Sequence, residues 1–169
     1  MDRGAAPEPV TERFREAFRR YPTGVALICA AGPEGPVGLT ASSVASVSLA
    51  PPALSFSVMG TRSARLLLEA PSFVVHLLGR KHVDLARAFA QTGGARFVPE
   101  QGWRTLPSGE PILPSALAAL RATPLHLVPV GDATLVVASV VEVFHGPDDG
   151  ALIHHARAFA TSSPLPEET

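Results

Sequence analysis

The run from Val37 to Pro52, Val-Gly-Leu-Thr-Ala-Ser-Ser-Val-Ala-Ser-Val-Ser-Leu-Ala-Pro-Pro, holds the side chains best placed to do chemistry in this chain. Five hydroxyl residues, Thr40, Ser42, Ser43, Ser46 and Ser48, alternate with small or apolar neighbours, and a double proline closes the run. Alternation at period two predicts a strand. One face of that strand carries small hydrogen-bonding groups and no charge, so a flat polar ligand can come close to both hydroxyl and backbone. The next segment, Ala53 to Met59, sets Leu54, Phe56 and Val58 against Ser55 and Ser57 and predicts a second strand with a hydroxyl face. Together they offer a surface for a flat polar ligand, and on composition alone they read equally as a solvent-facing edge.

Other chemistry is thinly represented. Cys29 is the lone cysteine, which excludes an intramolecular disulfide and a cysteine metal cluster; its apolar surroundings predict a packed residue. His154 and His155 are adjacent, and neighbours on a strand point to opposite faces, so they cannot readily share one metal. No metal site is expected. His76 interrupts an otherwise apolar strand from Ser72 to Leu78 and reads as a hydrogen-bonded core residue. No Gly-x-Gly-x-x-Gly follows a strand and opens a helix, and no Gly-x-x-x-x-Gly-Lys-Ser/Thr is present, so a Rossmann or P-loop phosphate site is not expected.

The elements that must position these residues are mostly strands. Val10, Phe14, Ala17 and Phe18 share one face of a helix that Thr11 would cap and Pro22 would end. Gly24 to Ala31 is a short apolar strand, turned by Gly32-Pro33-Glu34-Gly35-Pro36 into the serine-rich strand. Thr61 or Ser63 can cap a helix over 63–70, and Val83 to Gln91 predicts another that ends at Gly93-Gly94. Residues 97–114, rich in proline and glycine, read as a long loop with a lid or interface role. Ser115 to Leu120 is short and either helical or strand-like. Two strands, Leu125 to Val130 and Thr134 to His145, meet at the Gly131-Asp132 turn, and Leu152 to Phe159 is weakly periodic. Six or seven strands with three short helices, joined mainly by turns, predict a mainly β, antiparallel barrel. Residues 1–9 read as a loose arm, 10–160 as one domain and 161–169 as a frayed tail.

Composition narrows the function classes. A chain of 169 residues can bury about 70% of its unfolded surface in one domain. The formal net charge is −1 without blocks of like charge, which points away from nucleic acid and from anionic membrane surfaces. No signal-peptide pattern opens the chain, and no apolar run approaches the ~18 residues of a membrane span. A cytoplasmic protein is expected.

Several segments, in order, resemble the flavin reductase-like family. They are Phe14-Arg-Glu-Ala-Phe-Arg-Arg-Tyr-Pro-Thr-Gly-Val, Gly38-Leu-Thr-Ala-Ser-Ser, Ser46-Val-Ser-Leu-Ala-Pro-Pro, Leu85-Ala-Arg-Ala-Phe-Ala and Gly131-Asp132. The likeness runs from Phe14 to about Phe159. It implies a Greek-key, FMN-binding split β-barrel, a homodimer that holds FMN or FAD near the subunit interface. It further implies hydride transfer from NADH or NADPH to flavin, and diffusion of reduced flavin to a partner monooxygenase.

Within that resemblance, Thr40, Ala41, Ser42 and Ser43 suit the edge of the flavin ring, where backbone amides and small hydroxyls can polarise the acceptor. Ser57, Arg62 and Ser63 suit the phosphate end, Ser63 through the amides of a helix start. Arg62 is equally a solvated surface arginine, and Ser63 equally a simple cap. Phe89 and Ala90 fall in a family segment near the flavin, although Phe89 is also a good core residue. Arg80 and Lys81 read as surface residues before phosphate contacts. Asp132 and His155 are the candidates for the nicotinamide or substrate side. Typical members carry a histidine after Gly-Asp where this chain has Ala133. Two alternatives therefore stay open beside the reductase: a flavin-binding carrier or accessory subunit without NAD(P)H oxidation, and a flavoenzyme acting directly on an organic substrate.

Overall fold

The computed structural model describes residues 9–165. Residues 1–8 of the expected arm and 166–169 of the expected tail lie outside that range, while Thr161, expected in the tail, ends a strand. In chain order the elements are α1 (Val10–Arg19), β1 (Thr23–Gly24), β2 (Ala26–Gly32), β3 (Gly35–Ala41), β4 (Ala45–Leu49), β5 (Pro52–Met59), α2 (Arg62–Glu69), β6 (Phe73–Leu77), α3 (Val83–Ala90), β7 (Arg104–Thr105), β8 (Pro111–Ile112), β9 (Ala118–Val130), β10 (Ala133–His145), β11 (Leu152–His155) and β12 (Ala158–Thr161). The fold is mainly β with short helices, as expected.

Seven strands form one antiparallel sheet in the order β3-β2-β6-β9-β10-β5-β4. The hydrogen-bonded ladder does not close into a complete barrel; β3 and β4 remain its edges. The serine-rich run expected as one strand is thus two strands on opposite edges. The break falls at Ser42-Ser43, where two adjacent hydroxyls violate the alternation. There the Ser43 hydroxyl substitutes for a ladder: it accepts the Ser57 N–H at 2.9 Å and donates to the Ser57 carbonyl at 3.3 Å. A side chain ties the two edges where backbone pairing stops.

β2 explains the double-sided core. Ala26, Ile28 and Ala30 face one cluster with Phe56, Phe73, Val75, Val136 and, from α2, Ala64 and Leu67. The alternate residues Leu27 and Cys29, with the preceding Val25, face a second cluster with Ala86 and Phe89 of α3, Leu78, Leu113 and Leu152. A strand buried on both faces must be apolar throughout, which is why this segment reads as a continuous run. Cys29 packs in the core as expected.

The helix starts depart from expectation in one case. Pro9, not Thr11, precedes α1, and its carbonyl accepts the Glu12 and Arg13 N–H groups at 3.0 and 3.3 Å. Proline's fixed φ already suits a helix entry, so a side-chain cap is not required. At α2, Thr61 is the cap, its hydroxyl accepting the Ala64 N–H at 3.2 Å. The 97–114 loop contains the β7–β8 hairpin, and the weakly periodic 152–159 segment becomes the β11–β12 hairpin.

That loop is anchored from within. Glu110 is buried, accepts hydroxyl bonds from Ser72 and Ser108, and pairs with Nε of Arg121 at 2.9 Å. Trp103 packs its ring against His76 at 5.4 Å and Phe97 at 4.9 Å between centroids.

His76 is fully buried, with Nδ1 3.2 Å from the Leu27 carbonyl. Burial drives its pKa down to about 4, against the opposing pull of that carbonyl. The unfolded ring titrates near 6.5, so its neutral form contributes fully above that pH and the contribution is lost as pH falls towards 4. Between pH 7 and pH 5 the protein should lose about 2 kcal/mol of unfolding free energy from this ring. Urea unfolding of His76→Asn should be flatter over the same interval; an equal slope in both proteins would refute the assignment.

Candidate functional site

A cleft of about 940 Å³ opens between β3 and the end of β5. Its walls are Leu39 to Ala41 of β3, the Ser42-Ser43 crossing, Ser57 to Met59 of β5, and the α2 start. The far side is formed by Phe89 and Ala90 at the end of α3 and by residues of the following 92–96 segment. All nine residues assigned to the cofactor from sequence line this one cleft: Thr40, Ala41, Ser42, Ser43, Ser57, Arg62, Ser63, Phe89 and Ala90. They come from four separate stretches of the chain.

The hydroxyls divide into two kinds. Thr40 Oγ1 donates to the Ala86 carbonyl at 3.1 Å and so fixes α3 against β3. Ser43 ties β5, as described above. Ser42, Ser57 and Ser63 make no side-chain hydrogen bond among the described residues and are available to a ligand.

Backbone groups are available too. β3 pairs only with β2, so alternate residues present N–H and C=O to the open side. The Gly38 carbonyl is one of these, since Arg96 Nη1 reaches it at 3.3 Å. Two residues on, Thr40 presents its backbone groups in the same direction.

Phe89 is buried and edge-on to Phe97 at 5.0 Å, which gives the cleft a rigid apolar floor. It is therefore both a core residue and a cleft residue. The α2 start supplies an anion-friendly rim. With Thr61 capping Ala64, the Arg62 and Ser63 amides are first-turn donors without helical acceptors. Arg62 itself pairs with Glu34 of the β2–β3 turn at 3.1 Å.

Sequence reasoning missed Arg96 and the neighbouring Thr92, Gly93 and Gly94. Arg96 donates to Gly38 and, at 2.9 Å, to the Gln91 carbonyl at the end of α3, and its guanidinium lies 5.6 Å from the Phe89 ring centre. A cation closing a helix C-terminus is a legible signal, but Arg96 falls between the helix expected to end at Gly93-Gly94 and the loop expected from residue 97.

Two weaker candidates lie elsewhere. Asp132 sits at the β9–β10 turn beside the cleft; its carbonyl accepts the Gly60 N–H at 3.2 Å, while the residue itself is exposed. His155 lines a separate groove of about 350 Å³ with Phe14, Phe18 and Tyr21. Neither Arg80 nor Lys81 lines the cleft, and Lys81 faces Asp149 at 3.5 Å. Ala133 pairs with Met59, a cleft residue, so the position that carries histidine in typical members borders the site. Among the described residues, no group of three or more His, Cys, Asp or Glu could hold a metal.

These features fit a flavin: a slot with a rigid apolar floor, free hydroxyls and backbone donors along one edge, and amides with a guanidinium at the far end. The size also suits a ligand of that class.

Comparison with known proteins agrees. The model of the family described as "Flavin reductase like domain" matches residues 18–163. The NADH:FMN oxidoreductase of Rhodococcus qingshengii is 40% identical over 157 residues, covering 90% of this chain and 82% of the relative. The reductase component of the FADH(2)-dependent resorcinol hydroxylase of Rhizobium sp. is 30% identical over 167 residues, covering 94% and 91%. The crystal structure of a flavin reductase domain protein from Arthrobacter sp. FB24 superposes with a TM-score of 0.88 at 32% identity, covering 94% of this chain and 99% of that one. The chain is a member of the flavin reductase like domain family.

Proposed function

We propose that this chain is an NAD(P)H-dependent flavin reductase that takes FMN or FAD into the 940 Å³ cleft and supplies the reduced flavin to a partner monooxygenase. The observation that carries this reading is the convergence of all nine sequence-assigned residues on one cleft. A nicotinamide carries a transferable hydride and the flavin accepts it, so the chain has to position two flat rings and needs no general base. Backbone groups from Thr40 to Ser43 with the Ser42 hydroxyl hold the ring edge, and Phe89 with Ala90 forms the floor. Ser57, Arg62 and Ser63 hold the phosphate. Asp132 and the neighbouring Ala133 border the nicotinamide side, with His155 the more distant candidate.

The working form in this proposal is a cytoplasmic homodimer built from the 10–160 domain. Support for pairing comes from the second half of β9. Leu125, Leu127, Val128 and Val130 are all exposed there, and that half has β10 as its one strand partner. Val128 and Val130 share one face of that half with Leu135, which pairs with Val128, and together they expose apolar surface of the kind that marks an interface. Pro124 and Pro129 interrupt the free edge, which favours covering by a face over edge-to-edge strand pairing.

Steady-state assays test the reaction. Purified protein given NADH or NADPH should oxidise it only when FMN or FAD is added. No oxidation above the protein-free rate, with either nicotinamide and either flavin, would refute the proposal.

A further inference from the structure

Two guanidinium groups line the cleft, and they are differently committed. Arg96 spends its donors on the Gly38 and Gln91 carbonyls and is half-buried over Phe89. Arg62 has one partner among the described residues, the Glu34 carboxylate in the β2–β3 turn, at 3.1 Å and 28 positions earlier in the chain. Glu34 likewise bonds nothing else there. Both side chains are open to water, at 78% and 82% of full exposure, so this pair is screened and readily exchanged.

A carboxylate on a guanidinium makes the same charge-assisted contact as a phosphate oxygen. We infer that Glu34 is a specificity-determining residue beside the cleft: it pairs with Arg62 and competes with the phosphate of an incoming flavin for that guanidinium. Binding a phosphorylated flavin breaks the Glu34–Arg62 pair, whereas binding riboflavin, which has no phosphate, leaves it intact. Glu34 therefore narrows the preference for FMN or FAD over riboflavin. It also recaptures Arg62 when the product leaves, which suits a protein whose reduced flavin must dissociate. This inference rests on the proposed role of Arg62 at the phosphate end.

Dissociation constants for FMN and for riboflavin, titrated separately on the full chain by flavin fluorescence, test it. Glu34→Gln should tighten FMN about two- to fivefold and leave riboflavin unchanged, the scale of an exposed ion pair. The gain should shrink as salt is raised. Arg62→Ala should bring FMN towards riboflavin, and adding Glu34→Gln to it should change neither. Unchanged or weaker FMN binding in Glu34→Gln, with FMN still weakened by Arg62→Ala, would overturn the role of Glu34 and leave the phosphate assignment standing. If Arg62→Ala leaves FMN binding unchanged, the phosphate assignment fails and the inference falls with it.

Discussion

Gly38→Ala should weaken flavin binding and cost about 1–3 kcal/mol of stability, the usual range for overpacking a well-filled core. A Cβ at this position would lie 2.7 Å from Phe89 Cε1, 3.0 Å from Cys29 Sγ and 3.0 Å from Phe97 Cζ. None of these atoms is the free end of a flexible chain. Phe89 is wedged against Phe97 at 5.0 Å and Trp103 at 5.8 Å, and Cys29 is wholly buried in β2. The rings must move, and Phe89 is the cleft floor. The same shift would strain the Arg96 bond to the Gly38 carbonyl, which holds the end of α3 against β3. Stability and binding are thus coupled at one backbone position. Thermal unfolding should fall by about 2–4 °C for each kcal/mol lost in a domain of this size. The lone tryptophan, Trp103, gives a direct optical probe of the same cluster. A variant with an unchanged melting midpoint and unchanged FMN affinity would show that the aromatic wall does not shape the cleft.

The largest purely structural effect should come from Glu110→Ala. Its carboxylate is 1% exposed and receives Ser72, Ser108 and Arg121, while the Arg121 side chain is itself only 23% exposed. Removing one partner of such a pair leaves a mostly buried charge uncompensated, which costs about 3–5 kcal/mol. Burial by itself would raise the Glu110 pKa, but the hydrogen bonds from Ser108, Ser72 and Arg121 outweigh it and hold the carboxyl below its usual value. The stabilisation is therefore fully present above the unfolded pKa and is lost as pH falls through the lower folded value. Denaturant unfolding at pH 7 should show the full deficit in Glu110→Ala, and the gap to the parent protein should narrow well below pH 4.5. A deficit under about 1 kcal/mol at neutral pH would place this cluster among weak surface pairs instead.

The sequence made the strands around the cleft legible because their signals are local. Period-two alternation located β5, the unbroken apolar run located β2, and hydroxyl spacing marked Thr40 to Ser43 and Ser57. The division of the serine-rich run was legible only in part: the paired hydroxyls at Ser42-Ser43 break the pattern, but their bond to Ser57 depends on tertiary approach. Arg96 was missed because its partners, Gly38 and Gln91, come together only once α3 lies on β3. Glu110 was hidden for the same reason, since a lone acid in a proline- and glycine-rich loop reads as solvated until Arg121 and Ser72 arrive from β9 and the start of β6. Asp132 and His155 show the converse. Each had a suitable residue type, yet the fold puts one at a turn beside the cleft and the other in a different groove.

In the proposed reaction the hydride step depends on groups that border one cleft. Ala133, opposite Met59, leaves that border without a ring. The central claim is therefore tested best by the visible spectrum of the protein saturated with FMN, recorded anaerobically before and after addition of NADH. The account predicts a perturbed flavin spectrum on binding, followed by complete bleaching that protein-free FMN does not undergo on the same timescale. A bound flavin that stays oxidised through the addition of NADH and then of NADPH would contradict it.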